Sequence, residues 1–446
     1  MIDLTVGSSS GGLISLSKFM FRMDIGSCKS LFQDLAKQVF SPSRKKRLLR
    51  SWLSDSVYDV GALEDALKEH YSSDRRMFDT PVTCISSGKV AVTASEIKAG
   101  APFIFANYNG AAPHRAASAY GRLRPDSESE PLVWQVARAT AAAPCLFPTM
   151  DIPGLGAFQD GGMRRHNNPI NLALSEAKHL WPNCPKPDVF ISLGTGSETG
   201  DSSPTVSRFR NIFVDGWVPR VYRSISSSFD GQCNWREVFG LLDEGSRGDY
   251  FRFDLSIPNG LPRLDNTECM DGLSKLVRSN PAGEKAHKEA VASLLATSFF
   301  FQLESKPAYF AGLWQCVGSI RCRAPAQHVI HCLEKLDAKP KEFYKDEINL
   351  GLHLTPDDIC YHCHRYFRPL RFIVRDVKET ITLSLRFGSK SHRLSAFPST
   401  MQWFTEQQGL EWSFGTSNHQ QLPKPTCHVC EGWESGRSKK RKYADI

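Results

Sequence analysis

One short run near the N-terminus constrains the fold more than any other part of the chain. Residues 2–14 read as a short β-prone segment, a turn rich in glycine and serine, and the start of an apolar helix, with Ser9 at the apex of the turn. Gly7 and Gly11 lie two residues to either side of Ser9, and we expect both to be required because so tight a turn leaves no room for side chains there. The pattern indicates a nucleophilic Ser9, with an ordinary loop as the alternative.

The composition of the 446 residues indicates a globular chain of more than one domain. Its net charge of +8 only weakly favours anionic partners. Thirteen scattered cysteines lack the density of a secreted disulfide scaffold, so we expect a reducing, cytoplasmic location. The sequence contains no run of 18 apolar residues that could span a bilayer, so we expect a chain that is either soluble or peripheral to the membrane. The basic run 437–442 is a weak nuclear-address signal, and a solvated, disordered end is the alternative.

Alternating strand and helix patterns predict an α/β layered domain over residues 1–265. Within it, Asn168 and Pro169 suit the N-cap and first position of a helix. A helical connector is expected over 266–295, a smaller mainly-β domain over 296–436, and a basic disordered tail over 437–446. In the β region, residues 380–387 alternate apolar and polar side chains, which is typical of a strand buried on one face.

A nucleophilic serine needs a base, and Asp160 is a candidate for it. Asp160 follows a predicted strand and precedes Gly161 and Gly162, which allow a sharp turn of the backbone. Histidine is the usual base, and His166 is the nearest in motif terms, but a buried aspartate beside a serine could act directly. The alternative for Asp160 is an ordinary turn aspartate.

Four motifs, taken in their order along the chain, resemble those of patatin-like phospholipases. Residues 89–109 resemble the fungal type in particular. The motifs are Gly-Ser-Ser-Ser-Gly-Gly at 7–12, Ala-Thr-Ala-Ala-Ala-Pro at 139–144, Asp-Gly-Gly at 160–162 with Asn-Asn-Pro at 167–169, and Ser-Leu-Gly-Thr-Gly at 192–196. The resemblance covers roughly residues 1–260. It implies a patatin-like three-layer α/β domain for these residues. The smaller β domain that follows is expected to be sandwich-like.

The resemblance also implies a chemistry. Ser9 would be the nucleophile and Asp160 the base of a Ser-Asp dyad that cleaves fatty acyl esters of phospholipids or other lipids through an acyl-serine intermediate. No cofactor and no catalytic calcium would be needed. The substrate would be a lipid or membrane surface, and protein partners stay unknown.

One departure from the family concerns the oxyanion loop. The family carries this glycine-rich loop on a strand before the nucleophile strand, whereas this sequence begins one residue before the nucleophile strand itself. We expect an N-terminally truncated chain; the alternative is a weak or inactive relative that binds lipid or acts as a scaffold. The backbone N–H of Ser10 would still face the oxyanion, and losing a partner donor typically costs about 10²–10³ in rate.

Two Cys-x-x-Cys pairs in the β region, Cys360 with Cys363 and Cys427 with Cys430, are candidate ligands of one tetrahedral, structural zinc. The 63 residues between the pairs far exceed the roughly 15 to 20 of a zinc ribbon, so the pairs would have to converge through the fold. Reduced thiols are the alternative. A zinc-dependent nucleic-acid binder would need these pairs and the basic tail together, and we expect no nucleic-acid partner.

Overall fold

The computed structural model describes residues 2–40, 58, 60–79, 88–109, 120–123, 130–144, 146–162, 167–184, 186–198, 231–257, 261–262, 265–387, 390–410 and 427. They form two compact units, the first made of residues 2–187 and 191–283 and the second mainly of residues from 284 onward. The division falls inside the predicted connector. The predicted boundaries at 265 and 295 stay predictions, and the basic tail lies outside the described residues.

A six-stranded sheet forms the centre of the first unit. Its strands are β1 (Leu4–Ser8), β2 (Lys89–Glu96), β3 (Ala101–Ala106), β4 (Gly121–Arg122), β5 (Met150–Ile152) and β6 (Gly156–Asp160). β3 pairs with one edge of β2, and both β1 and β6 pair with the other edge. Because β1 runs parallel to β2 and β6 antiparallel to it, the C-terminal ends of β1 and β6 meet partway along β2.

Helices cover both faces of this sheet. They are α1 (Ser10–Ser15), continued by the π-helical segment Leu16–Met20, α2 (Ile25–Val39), α3 (Val60–Tyr71), α4 (Val133–Thr140) and α5 (Ile170–Leu180). Successive side chains of β2 point to opposite faces. Val90 and Val92 join the core that includes α2, α3 and α4, whereas Ala91 joins a smaller core with Leu172 of α5. This arrangement confirms the predicted three-layer α/β domain.

The remainder of the first unit consists of short elements. They are β7 (Phe190–Leu193), β8 (Ser197–Glu198), α6 (Gly231–Gly240), α7 (Glu244–Arg247), β9 (Tyr250–Phe253), β10 (Ser256–Ile257), the 3₁₀ turn Thr267–Cys269 and α8 (Met270–Arg278). β7 pairs with β9, and β8 pairs in parallel with β10. These two-stranded sheets hold in place the segment that carries the Ser-Leu-Gly-Thr-Gly motif.

The second unit is rich in strands, as predicted. Its elements are α9 (Pro281–Ala296), β11 (Phe299–Leu303), β12 (Ala308–Phe310), β13 (Leu313–Cys322), α10 (Ala326–Leu336), β14 (Glu342–Lys345), β15 (Ile348–His353), the 3₁₀ turn Pro356–Asp358, β16 (Phe367–Val374), β17 (Thr380–Ile381), β18 (Leu383–Phe387), β19 (Lys390–Arg393), β20 (Ser399–Thr400) and α11 (Met401–Gln407). Two four-stranded antiparallel sheets, one centred on β13 and one containing β14 and β18, share a core that includes Phe299, Phe343 and Leu385.

The single strand predicted over 380–387 is two strands in the structure. Thr382 separates them because its N–H donates to the Asp346 carboxylate at 2.8 Å and its C=O accepts from the Asp346 N–H at 2.8 Å. β17 therefore pairs with β20, while β18 pairs with β14 and β19. The predicted apolar face is buried, but Ser384 on the other face is also buried, so the polar face is not open along its whole length.

Candidate functional site

Ser9 occupies the turn between β1 and α1, where the sequence predicts a strained serine. Its backbone dihedral angles are φ 53° and ψ −125°. A non-glycine residue rarely adopts a positive φ, and such strain is concentrated at functional sites. The strand, the turn and the helix therefore lie where the sequence predicts them.

The glycines around Ser9 have unequal roles. A Cβ at Gly7 would lie 2.3 Å from the carbonyl oxygen of Gly11 and 2.6 Å from Ser15 Oγ, so glycine is required there. A Cβ at Gly11 would have no atom within 4 Å outside its neighbours and its own helix, so the predicted steric role of Gly11 is wrong. Gly12 replaces it, since a Cβ there would contact Val92 and Thr140 at 2.9–3.0 Å.

Thr140 fixes the backbone of Ser9, a role that the sequence does not reveal. The Ser9 N–H donates to Thr140 Oγ1 at 2.8 Å, and the Thr140 hydroxyl donates to the Thr93 carbonyl at 2.8 Å. Thr140 and Thr93 are both fully buried. The Ser9 carbonyl accepts from the N–H groups of Gly12 and Leu13, so both backbone polar groups of Ser9 are hydrogen-bonded.

The Ser9 hydroxyl binds Asp160. A serine before a helix usually caps it, but Ser9 makes no side-chain cap and its Oγ donates to Asp160 Oδ2 at 2.6 Å. The sheet register explains the meeting: Ser8 at the end of β1 pairs with Thr93, and Asp160 at the end of β6 pairs with Ala94, the next residue of β2. The predicted partners are thus adjacent in space.

The second Asp160 oxygen and the Asp160 backbone are held as well. Oδ1 accepts from the Gly162 N–H at 2.7 Å, and the Asp160 N–H donates to the Ala142 carbonyl at 3.0 Å. Gly161 is needed for a reason other than the predicted sharp turn. A Cβ at Gly161 would lie 2.3 Å from the Thr93 carbonyl oxygen, because the chain passes directly over β2.

Burial changes the acidity of Asp160. The residue is 1% exposed, and desolvation of its charged form raises its pKa from 3.8 to about 6, against the opposing effect of the bonds from Ser9 and Gly162. A carboxylate with a pKa near 6 is largely ionised at neutral pH and is a better proton acceptor than an exposed aspartate. Ser9 itself is half-buried.

Ser10 and His166 are the remaining residues of the candidate active site. Ser10 is the first residue of α1, so its N–H has no acceptor within the helix. His166, the histidine nearest to the motifs, lies outside the described residues.

The Asn-Asn-Pro and Ser-Leu-Gly-Thr-Gly motifs form a separate hydrogen-bond network. Asn168 does not cap α5 as predicted; the residue before that helix is Pro169, and the Asn168 side chain instead donates to the Gly231 carbonyl at 2.9 Å and accepts from Ser192 at 3.2 Å. Arg252 donates to Ser192 Oγ and to Asp254 at 2.8 Å each. Tertiary hydrogen bonds therefore outcompete the local cap, and these motifs act as scaffold.

The second unit brings three of the four predicted cysteine ligands together. The Sγ atoms of Cys360, Cys363 and Cys427 all lie within 4.8 Å of one another. Cys430 lies outside the described residues.

Comparison with known proteins identifies the first part of the chain. Residues 1–174 match the patatin-like phospholipase family. These residues form a patatin-like phospholipase domain. The patatin-like domain contains β1 to β6, the Ser9 turn and Asp160.

Calcium-independent phospholipases A2 resemble a longer part of the chain. The gamma enzyme of Homo sapiens is 27% identical over 304 residues, which cover 65% of this chain and 35% of that protein, and that of Oryctolagus cuniculus is 29% identical over 304 residues. Phospholipase A I of Arabidopsis thaliana is 25% identical over 240 residues. The chain spans about a third of the length of the A2-gamma relatives.

Every described helix is too short or too polar to span a lipid bilayer.

Proposed function

We propose that the chain is a lipid acyl hydrolase of the phospholipase A type that cleaves fatty acyl esters with a Ser9–Asp160 dyad. The observation that carries the proposal is the 2.6 Å hydrogen bond from the Ser9 hydroxyl to a buried carboxylate, made by a serine in a strained turn. A hydroxyl already aligned with its base needs no rearrangement before proton transfer. The patatin-like domain and the phospholipase relatives supply the substrate class.

The first half of the reaction forms an acyl-serine. Ser9 Oγ attacks the ester carbonyl carbon while Asp160 takes the hydroxyl proton, and the carbonyl oxygen becomes an oxyanion. When the tetrahedral intermediate collapses, the bond to the alcohol oxygen breaks and the protonated Asp160 returns the proton to the leaving alkoxide. The products of this half are a free alcohol, such as a lysophospholipid, and a fatty acyl ester of Ser9.

The second half releases the fatty acid. Asp160, again ionised, takes a proton from a water molecule that attacks the acyl-serine carbonyl, and the proton passes to Ser9 Oγ as the acyl group leaves. Neither half requires a metal ion, and we propose activity that is independent of calcium. The Ser10 N–H follows the nucleophile directly and has no acceptor in its own helix, which suits it to donate to the oxyanion.

The lipid surface is the proposed partner, and the chain is proposed to act as a cytoplasmic, peripheral enzyme. A fluorophosphonate probe and hydrolysis of phosphatidylcholine vesicles test the proposal on the full chain. We expect labelling and release of fatty acid, with no change on addition of Ca²⁺. Ser9→Ala should abolish labelling and lower hydrolysis by about 10⁴-fold or more, because the nucleophile is lost.

Ser30→Ala is the matched control. It removes the hydroxyl of an exposed serine of α2 in the same unit, so we expect labelling close to that of the unmodified chain. A folded chain that binds vesicles without labelling or hydrolysis would contradict the enzyme proposal and support the non-catalytic lipid binder instead.

A further inference from the structure

We propose that Cys360, Cys363 and Cys427 bind one zinc ion as thiolates, and that this ion has a structural role in the second unit. The three residues come from two Cys-x-x-Cys pairs that are far apart in the sequence, yet their Sγ atoms lie within 4.8 Å of one another. The inference does not depend on the function proposed for the first unit.

The distance between Cys360 and Cys427 matches metal coordination. Their Sγ atoms are 4.0 Å apart. A tetrahedral zinc with Zn–S bonds of about 2.3 Å separates two ligand sulfurs by about 3.8 Å. A disulfide requires about 2.05 Å between the sulfurs, so these two cysteines are not bonded to each other. The observed spacing is therefore that of two ligands of one ion.

The backbone around the first pair is built to hold two ligands. Residues 359–366 form a compact loop that is closed by a bridge between Ile359 and Tyr366, and the Cys360 N–H donates to the Arg365 carbonyl at 2.9 Å. The His364 N–H donates back to the Cys360 carbonyl at 2.9 Å, with φ 56° at His364. Because this loop fixes Cys360 and Cys363 relative to each other, little ordering is left for a metal to impose.

The chemistry of the donor set selects the metal. Three sulfur ligands suit soft or borderline ions such as zinc and disfavour magnesium and calcium, which prefer oxygen. Cys360 and Cys427 are 1% and 8% exposed, so thiolates there need a neighbouring positive charge. Nδ1 of His362 lies 3.6 Å from Cys427 Sγ, within reach to donate a hydrogen bond to a metal-bound sulfur in the tautomer that carries its hydrogen on Nδ1.

Zinc measured by mass spectrometry in the full chain tests the proposal. The chain is purified through a tag that does not bind metals and without chelators. We expect about one zinc ion per chain, and at least about tenfold less in Cys360→Ser and Cys363→Ser. Cys332→Ser is the matched control, because Cys332 is an exposed cysteine of α10 in the same unit and its loss should leave the zinc content unchanged.

A spectroscopic measurement keeps the test valid if the buried Cys360 cannot be replaced without unfolding. The chain is reconstituted with Co²⁺, which takes the place of zinc and gives a sulfur-to-cobalt charge-transfer band. The band should appear in the unmodified chain and in Cys332→Ser, and it should be lost in the half-exposed Cys363→Ser while circular dichroism shows a folded chain. A folded chain that takes up no zinc, or a Cys363→Ser chain that keeps both its zinc and the band, would overturn the proposal.

Discussion

The Ser9 hydroxyl donates to the Asp160 carboxylate at 2.6 Å although the two residues are 151 positions apart in the chain. A single strand is responsible, since consecutive residues of β2, Thr93 and Ala94, pair with Ser8 and Asp160. The two partners therefore depend on one register, and a shift of one residue along β2 would move the carboxylate away from the hydroxyl.

The buried carboxylate predicts the pH dependence of ester hydrolysis. Burial raises the pKa of Asp160 to about 6, and only the ionised form can take the Ser9 proton. We expect kcat/KM to rise with pH and to level off above an apparent pKa of about 6. Initial rates measured across the pH range with two esters whose leaving alcohols differ in acidity would check this. If Asp160 sets the rising part of the pH profile, its apparent pKa is the same with both esters. An activity that still rises steeply above pH 7 would contradict Asp160 as the base.

Replacement of Asp160 by asparagine should stabilise the fold in a pH-dependent way. The raised pKa means that stability falls as pH rises from about 3.8, the ordinary value, to about 6, because ionisation is easier in the unfolded chain. The difference between these two pKa values corresponds to about 3 kcal/mol in the free energy of unfolding. Asp160→Asn removes this penalty and keeps an acceptor for the Gly162 N–H and a donor toward Ser9.

Urea unfolding at pH 4 and pH 7 measures the effect. The stability of Asp160→Asn relative to the unmodified chain should be greater at pH 7 than at pH 4 by up to about 3 kcal/mol, with hydrolysis lost at both. Asp151→Asn changes an exposed aspartate of β5 and should show no such difference. Equal relative stabilities at the two pH values would mean that the carboxylate is not desolvated.

Thr140 is expected to position the nucleophile without touching the substrate. Thr140→Val keeps the shape but removes the acceptor of the Ser9 N–H and the donor to Thr93, two buried hydrogen bonds worth about 1–3 kcal/mol each when a partner is left unsatisfied. We expect kcat to fall by about 10–100-fold with little change in KM, since the Ser9 hydroxyl loses its orientation. Thr140→Ser restores the hydroxyl and should recover most of kcat; failure of this rescue would assign the loss to packing alone.

Much of the site was predictable from local patterns. The turn at Ser9 and the position of Asp160 at a strand end follow from glycines, β-prone residues and helix signals within a few residues of each. Thr140 and Thr93 were not predictable as partners of this turn, because their contacts depend on how β2 pairs with β1 and β6. The convergence of Cys360 and Cys427 likewise depends on the tertiary fold.

Local rules also fail where a tertiary hydrogen bond competes with them, at Asn168 and within residues 380–387. Asn168 has the residue type and the following proline of an N-cap, but its side chain bonds to Gly231 and Ser192, which no local pattern indicates. The strand predicted across 380–387 is interrupted by the bonds between Thr382 and Asp346, again a contact between distant residues. In both places a tertiary hydrogen bond outweighs a local preference.

The two glycines beside Ser9 should respond in opposite ways to alanine. Gly7→Ala would place its Cβ 2.3 Å from the backbone oxygen of Gly11, which cannot move without displacing the Ser9 turn, so we expect a loss of about 1–3 kcal/mol and of most activity. Gly11→Ala puts its Cβ into open space within α1, where alanine favours the helix by about 0.5–1 kcal/mol over glycine, so stability should be kept or slightly increased. Thermal unfolding and fluorophosphonate labelling of both variants measure the difference. If Gly11→Ala unfolds as readily as Gly7→Ala, then the turn requires glycine on both sides of Ser9 and the open space at Gly11 is not present in solution.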